Sequence, residues 1–288
     1  MVGVRQYHID LGQKDVRTGM YDRFVYDEAG IPQYPYDGEL HYNPTFVAHH
    51  GLYHLSLYQR AGEPAELSTF LASADWFLGT GRRSRLGLTF EYTMPVPGLP
   101  DPWISALGQG RAISVLTRAY EAAGNQAYLD AASLAVIPFT LPVSEGGVAT
   151  SFPDGGVAFE EYPRTRPDLV LNGLITALFG LYDLAATEGS HDRDSVARLF
   201  RTAVDALASN LHRYDLAYWS AYDLTGRISS NEYHRCHVSL LWALYEITGV
   251  DSFAACSRRW ADCQPGARLF VRRNVSRVAS RLRDRRLS

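Results

Sequence analysis

A chain of 288 residues, 46% hydrophobic and near −3 in net charge, can bury a sizeable core and offers no bulk positive charge to a nucleic acid. Its cations are arginines with one exception, Lys14, and its three cysteines, Cys236, Cys256 and Cys263, show neither zinc spacing nor the even count of a disulfide framework. No apolar run is long enough to span a bilayer and the opening MVGVRQYHIDLG lacks a signal-peptide core, so a cytoplasmic protein is expected.

Residues 1–42 precede the first apolar periodicity and read as an N-terminal extension that can hold a β-hairpin. From there helices are predicted in pairs, at about 44–60 and 65–79, 104–123 and 126–138, 169–187 and 193–211, and 234–247 and 251–263. Apolar residues recur at helical spacing, as in Val115, Ala119 and Ala122 or Leu174, Leu178 and Leu181. Each pair is joined at a repeated phrase: LYQRAG, AYEAAG, LYDLAATEG and LYEITG. Their glycines, Gly62, Gly124, Gly189 and Gly249, fall roughly every 60 residues and are helix terminators. The recurring Tyr58, Tyr120, Tyr182 and Tyr245 are expected to pack in the core. Four helical hairpins over 43–263 predict a mainly α fold, an incomplete (α/α) toroid or barrel with a short β or irregular N-terminal segment. Residues 264–288 form a basic amphipathic tail with the stripe Val271, Val275, Val278 and Leu282. A docked helix and a contact with an anionic glycan or membrane surface are both open readings of it.

The tight glycine turns all fall at one end of such a ring. The long connections, about 80–103, 139–168 and 212–233, together with 30–43, fall at the other and should carry the site. The first of these segments, 30–43, brings Tyr36, His41 and Tyr42, and the next brings Tyr92 and Trp103, with Gln109 a turn into its helix. Glu160, Glu161, Tyr162 and Arg164 follow, then Tyr222, Arg227, Asn231, Tyr233, His234 and His237. Aromatic faces stack on sugar rings, and Arg, His and Tyr donors hold carboxylates, so the set suits an acidic carbohydrate. Neither a Walker A motif nor a dinucleotide fingerprint is present, and no cofactor or metal is expected. His49, His50 and His54 share a helix but lack a carboxylate at ligand spacing, so they read as structural. For Glu160, Glu161 and Tyr162 a solvated loop and a site remain equally open. The same holds for His234 and His237, between helix capping and the site.

The blocks DPWISALGQGRAISVLTRAYEAAGNQAYLDAA (101–132), FEEYPRTRPDLVLNGLITALFGLYDL (159–184), YDL (222–224) and NEYHRCH (231–237) resemble the D-glucuronyl C5-epimerases over roughly residues 30–263. The resemblance implies a homodimeric catalytic (α/α) partial barrel that turns D-glucuronate units of a heparosan-like polysaccharide into L-iduronate. It carries catalytic weight to Glu161, Tyr162, Tyr222 and Tyr233. Two departures stand out. Thr225 follows YDL where the family usually has an Arg that holds the substrate carboxylate, so Arg227 is the expected substitute. The β-rich N-terminal part of the animal enzymes is reduced to about 40 residues.

The chemistry requires removal of a proton α to a carboxylate and its return on the other face. Glu161 and Tyr233 are the expected acid/base pair, one per face. Tyr162 and Tyr222 would orient the sugar and donate to the enediolate, and His234, Arg227 or Arg164 would neutralise the carboxylate. A tyrosine base needs cationic neighbours that lower its pKa, while Glu161 needs burial to raise its own. The alternatives are a uronate lyase or a uronyl hydrolase on a similar toroid. The hydrolase would pair Glu161 with Glu91 or Asp223. An acidic-glycan binding module is the non-enzymatic option.

Overall fold

A computed structural model describes residues 4–12, 23–190 and 192–264; the apolar stripe of the tail lies outside them. Among the described residues eight helices pair in chain order: α1 (Pro44–Ala61) with α2 (Pro64–Thr80), α3 (Ala106–Ala123) with α4 (Gln126–Ala135), α5 (Leu171–Ala186) with α6 (Arg193–Asn210), and α7 (Asn231–Thr248) with α8 (Asp251–Ala261). None is long and apolar enough to cross a membrane.

Local chemistry sets the ends of these helices. The Asn43 side chain accepts from the Thr45 and Phe46 amides, and Pro44 opens α1 where no amide donor is needed. Ser230 caps α7 by accepting from the Tyr233 amide. The helix therefore begins three residues before the predicted 234, and Tyr233 lies in its first turn. Helix α4 stops at Ala135, short of the predicted 138, and a 3-10 turn over Ile137–Thr140 takes in Pro138. At the turns, Gly62, Gly124 and Gly249 are left-handed, with φ of 74°, 66° and 69°, and their amides bond to the carbonyls of Tyr58, Tyr120 and Tyr245. The rings of these tyrosines pack against the core. The third turn differs, since α5 ends on an extended Thr187 and the longer phrase carries Gly189 beyond the cap.

Burial separates two layers. Helices α3 and α5 are buried on nearly every side, whereas α6 and α8 bury one stripe each, such as Val196, Phe200, Ala203, Val204 and Leu207. Neighbouring odd-numbered helices form an inner row, α1–α3–α5–α7, and each even-numbered helix lies on the outside against its hairpin partner. The result is an incomplete (α/α) barrel. At its centre α3 and α5 meet backbone to backbone: a methyl on Gly180 would stand 2.2 Å from the Gly110 carbonyl oxygen.

The two ends are finished differently. At the glycine-turn end, residues 4–12 cross the ends of α1, α3 and α5. Arg5 Nη2 donates to the Asp183 carbonyl and to Thr187 Oγ1, at 3.1 and 2.7 Å, and Gln59 Nε2 donates to the Val4 carbonyl at 2.9 Å. Beneath this strap, fully buried Arg118 forms a two-pronged ion pair with Asp183, at 2.6 and 3.0 Å, and donates to the carbonyls of Arg5 and Gln6. Burial opposes the Asp183 charge, yet Arg118 and His8 hold its carboxyl well below the usual carboxylate range.

The other end carries short antiparallel sheets. Strands β1 (Val25–Tyr26), β2 (Pro32–Tyr36) and β3 (Glu39–Tyr42) form one, with Asp37 and Gly38, both at positive φ, closing its second hairpin. Two hairpins, β4 (Arg82–Ser84) with β5 (Gly87–Thr89) and β6 (Ala149–Ser151) with β7 (Val157–Phe159), lie within the long connections.

Candidate active site

A cavity of about 320 Å³ opens at the sheet-bearing end, lined by the first turns of α1, α3, α5 and α7 and by the loops before them. Its aromatic wall comes from Tyr92, Trp103 and Tyr162. Tyr92 stacks on Trp103 at 4.2 Å, and Trp103 lies 5.7 Å from Tyr162. The Tyr92 hydroxyl reaches Thr45 Oγ1 at 2.5 Å, and Trp103 Nε1 donates to the Met94 carbonyl at 2.9 Å. Tyr36 and Tyr34 line the mouth.

Glu161 sits where this wall meets α5. Its backbone neighbour Glu160 is clamped from three sides. The Glu160 amide donates to the Val148 carbonyl, its carbonyl accepts from the Ala106 amide, and its carboxyl accepts from the Leu169 amide. Leu169, which makes the last of these bonds, is at φ 53°, a conformation that costs energy for a leucine. The EEY stretch thereby presents Glu161 against the first turn of α5, where Asn172 Nδ2 stands 3.4 Å from its carboxyl. Gly173 provides the room: a methyl there would lie 2.3 Å from Glu161 Oε2. Burial pushes the Glu161 carboxyl up to about 7, against the pull of the Tyr162 hydroxyl and of Arg227 and Arg111.

Tyr233 enters from the first turn of α7 and lines the cavity. Tyr222 packs edge-on against it at 4.9 Å, placed by the Leu171 amide bonding to the Tyr222 carbonyl. Tyr162 is held protonated by the Glu161 charge and by burial, and Tyr222 by burial first and then the same charge. These two are hydroxyl donors at neutral pH. The four residues given catalytic weight thus gather in one place.

Several other predicted residues serve the scaffold. Gln109 is completely buried and bonds the Phe90 amide and the Leu88 and Ala135 carbonyls, so it pins a loop instead of meeting a ligand. Glu160 is the clamp described above, and burial raises its carboxyl to about 8. His234 stacks on Trp219 at 3.6 Å. Its Nδ1 accepts from the Ser220 amide while Nε2 faces the Trp260 carbonyl. The Ser220 hydroxyl lies within hydrogen-bond distance of Nδ1 of both His234 and His237, and burial pushes the His237 pKa down to about 3. Burial lowers His234 as well. Both histidines are uncharged at neutral pH, so neither neutralises a carboxylate or lowers the pKa of Tyr233.

Arg164 pairs with Asp168 and donates to the Pro97 carbonyl. Arg227 pairs with Asp223 and stands 3.5 Å from Asp168, behind the Tyr222 ring. His41 contacts Thr93, Tyr42 donates to Asp27, and Asn231 lines a separate cavity beside Trp219 and Trp260. None of these lines the main cavity. His54, in the helical histidine group, bonds Glu66 from α2, a carboxylate twelve residues on that the spacing argument did not reach. Among the described residues no group of three or more His, Cys, Asp or Glu could hold a metal ion.

Residues outside the predicted set also line the cavity: Asn43, Arg111, Asn172 and Thr176. A signal for them existed. Each is a polar residue within two turns of the loop-bearing end of an otherwise apolar helix or at its cap, and Asn172 and Thr176 are spaced i, i+4 on one face.

Comparison with known proteins follows this geometry. Residues 82–262, most of the barrel, match the family model described as D-glucuronyl C5-epimerase C-terminus. A D-glucuronyl C5-epimerase of Caenorhabditis elegans is 32% identical over 219 residues, covering 69% of this chain and 35% of that protein. An uncharacterized protein of Methanocaldococcus jannaschii is 30% identical over 177 residues, covering 60% of this chain and 56% of that one. The chain therefore spans about a third to a half of the length of these relatives. A solved GH76 alpha-mannanase of Bacteroides thetaiotaomicron superimposes with a TM-score of 0.52 at 11% identity, over 84% of this chain and 64% of that one, a likeness of fold alone. With its EEYP-to-GLYDL block inside the matched span, the chain belongs to the D-glucuronyl C5-epimerase C-terminal family.

Proposed function

We propose that this chain is a uronyl C5-epimerase that converts D-glucuronate to L-iduronate units in an acidic, heparosan-like polysaccharide. The observation that carries the reading is the convergence of Glu161, Tyr162 and Tyr233 at one cavity, with Tyr222 packed against Tyr233, within a family-matched barrel. Ionised Glu161 takes the C5 proton, and the bonding pair moves into the carboxyl group as an enediolate. The Tyr233 hydroxyl returns a proton to C5 on the opposite face, and the reverse reaction exchanges the two roles. Tyr162 and Tyr222, kept protonated, donate to the sugar and to the developing charge. A Glu161 pKa of about 7 suits a general base near neutrality. No electrons leave or enter the substrate.

A hydrolase needs a second carboxylate across the glycosidic bond. Of the partners expected from sequence, Glu91 pairs with Arg82 and Asp223 with Arg227, and neither lines the cavity; the second carboxylate that does line it is Glu232, which accepts from the Ser230 hydroxyl. The test is incubation with unsulfated heparosan in D2O, read by NMR for deuterium at C5 and for iduronate signals, with chain length followed in parallel. Deuterium uptake into intact chains is expected. Cleavage to unsaturated ends would make the protein a lyase, and cleavage to saturated ends a hydrolase.

A further inference from the structure

As the C5 proton leaves, negative charge builds on the uronate carboxyl, and a cation has to meet it. Four arginines stand near the reacting end. Arg164 and Arg227 are bound to Asp168 and Asp223 and lie behind the rings of Tyr162 and Tyr222. Arg166 is exposed on its loop. Arg111, in the second turn of α3, is the one of these four that lines the cavity.

We propose that Arg111 binds the carboxylate of the substrate uronate, an assignment that rests on the epimerase reading. Its side chain is buried at 8% exposure in the cavity wall, with Nη1 at 3.5 Å from the Thr45 carbonyl. Its charge is felt by the Tyr7 hydroxyl, on the strap that crosses the far end of the barrel. The guanidinium is therefore carried on a buried helix and steadied from α1, which suits a fork that must keep one orientation. Its charge also reaches the reacting end, since it counters the effect of burial on the Glu161 carboxyl. A carboxylate docked there lies beside the group that abstracts the proton α to it. The role thus moves from the loop arginine expected from sequence, Arg227, to the rigid barrel wall.

The experiment compares heparosan with carboxyl-reduced heparosan, in which each uronate is a neutral glucose unit. Binding is measured by calorimetry for wild type, R111Q, R111K and R227Q, with folding checked by thermal melting and C5 exchange followed separately. Wild type is expected to prefer the acidic polymer by about 10- to 100-fold. R111Q should level the two affinities, and R111K should keep part of the preference because it retains charge without the fork. If R111Q does not fold, R111K decides. A wild type without preference, a folded R111Q or R111K with the full preference, or an R227Q that loses it while the Arg111 variants keep it, overturns the proposal. If an Arg111-dependent preference is present but C5 never exchanges, the carboxylate site stands and the epimerase reading falls.

Discussion

Gly173→Ala tests whether the site depends on the close seating of Glu161 on α5. The added methyl would meet Glu161 Oε2 at 2.3 Å and Glu161 Cβ at 2.8 Å. Ordinary van der Waals contact begins at 3.4 Å, so the carboxyl must retreat by about 1.1 Å, the difference between the two distances. Retreat into the body of the loop is blocked, because the neighbouring Glu160 is pinned at its amide, carbonyl and carboxyl. The carboxyl must then move along the cavity wall, away from its approach to C5. A misplacement of about 1 Å in a proton-transfer group lowers turnover on the order of a hundredfold, or about 2.7 kcal/mol in the barrier. Stability should change little, since alanine is favoured over glycine in a helix by about 1 kcal/mol and offsets part of the clash. The assay is C5 deuterium uptake beside a thermal melt. A variant that melts near wild type and exchanges within about threefold of it would refute the reasoning.

Three further expectations follow from the same geometry. Tyr233→Phe should lower conversion of glucuronate to iduronate by about a thousandfold and leave polymer affinity within about threefold, as measured by NMR and calorimetry. For Glu161 the folded pKa of about 7 lies above the ordinary value of 4.5. Exchange should therefore fall about tenfold per unit as pH drops below 7. The same shift stabilises the fold fully below pH 4.5, and that contribution is lost as pH rises through 7. Glu161→Gln should consequently gain stability over wild type at pH 8, by about 3 kcal/mol, and lose the advantage toward pH 4.5 in denaturant titrations. Arg118→Leu should cost about 3–5 kcal/mol in the same titrations, because it leaves Asp183 charged and buried without its two-pronged partner, with exchange per folded molecule unchanged.

Much of the barrel was legible because its signals are local. A cap, a periodic stripe and a glycine at C′ act within a few residues, and Gly62, Gly124 and Gly249 do what their spacing implies. The end at which the main cavity opens followed from loop lengths alone. The direction of each side chain did not. On α7, Tyr233 and Cys236 face the cavity while His234 and His237 face Trp260, and one residue of offset on a helix is enough to separate the two groups. Gln109 and Glu160 look like ligand-binding residues from composition, but their partners are backbone groups brought in by folding, at separations of 19 and 9 residues. Residues 4–12 carry no periodicity at all. Their use became visible only with the ends of α1, α3 and α5 in place.

That strap also imposes an order on synthesis. Arg5 leaves the ribosome early, yet its acceptors on Asp183 and Thr187 are 178 and 182 residues further along the chain. At typical translation rates the wait is roughly ten to forty seconds. The first helical hairpins, made of near neighbours, can close one after another in that interval, while the strap cannot dock until the end of α5 completes the surface that contains the Arg118–Asp183 pair. Until it does, Arg118 lacks the carbonyls of Arg5 and Gln6, so a nascent chain can hold several paired helices before the glycine-turn end is covered.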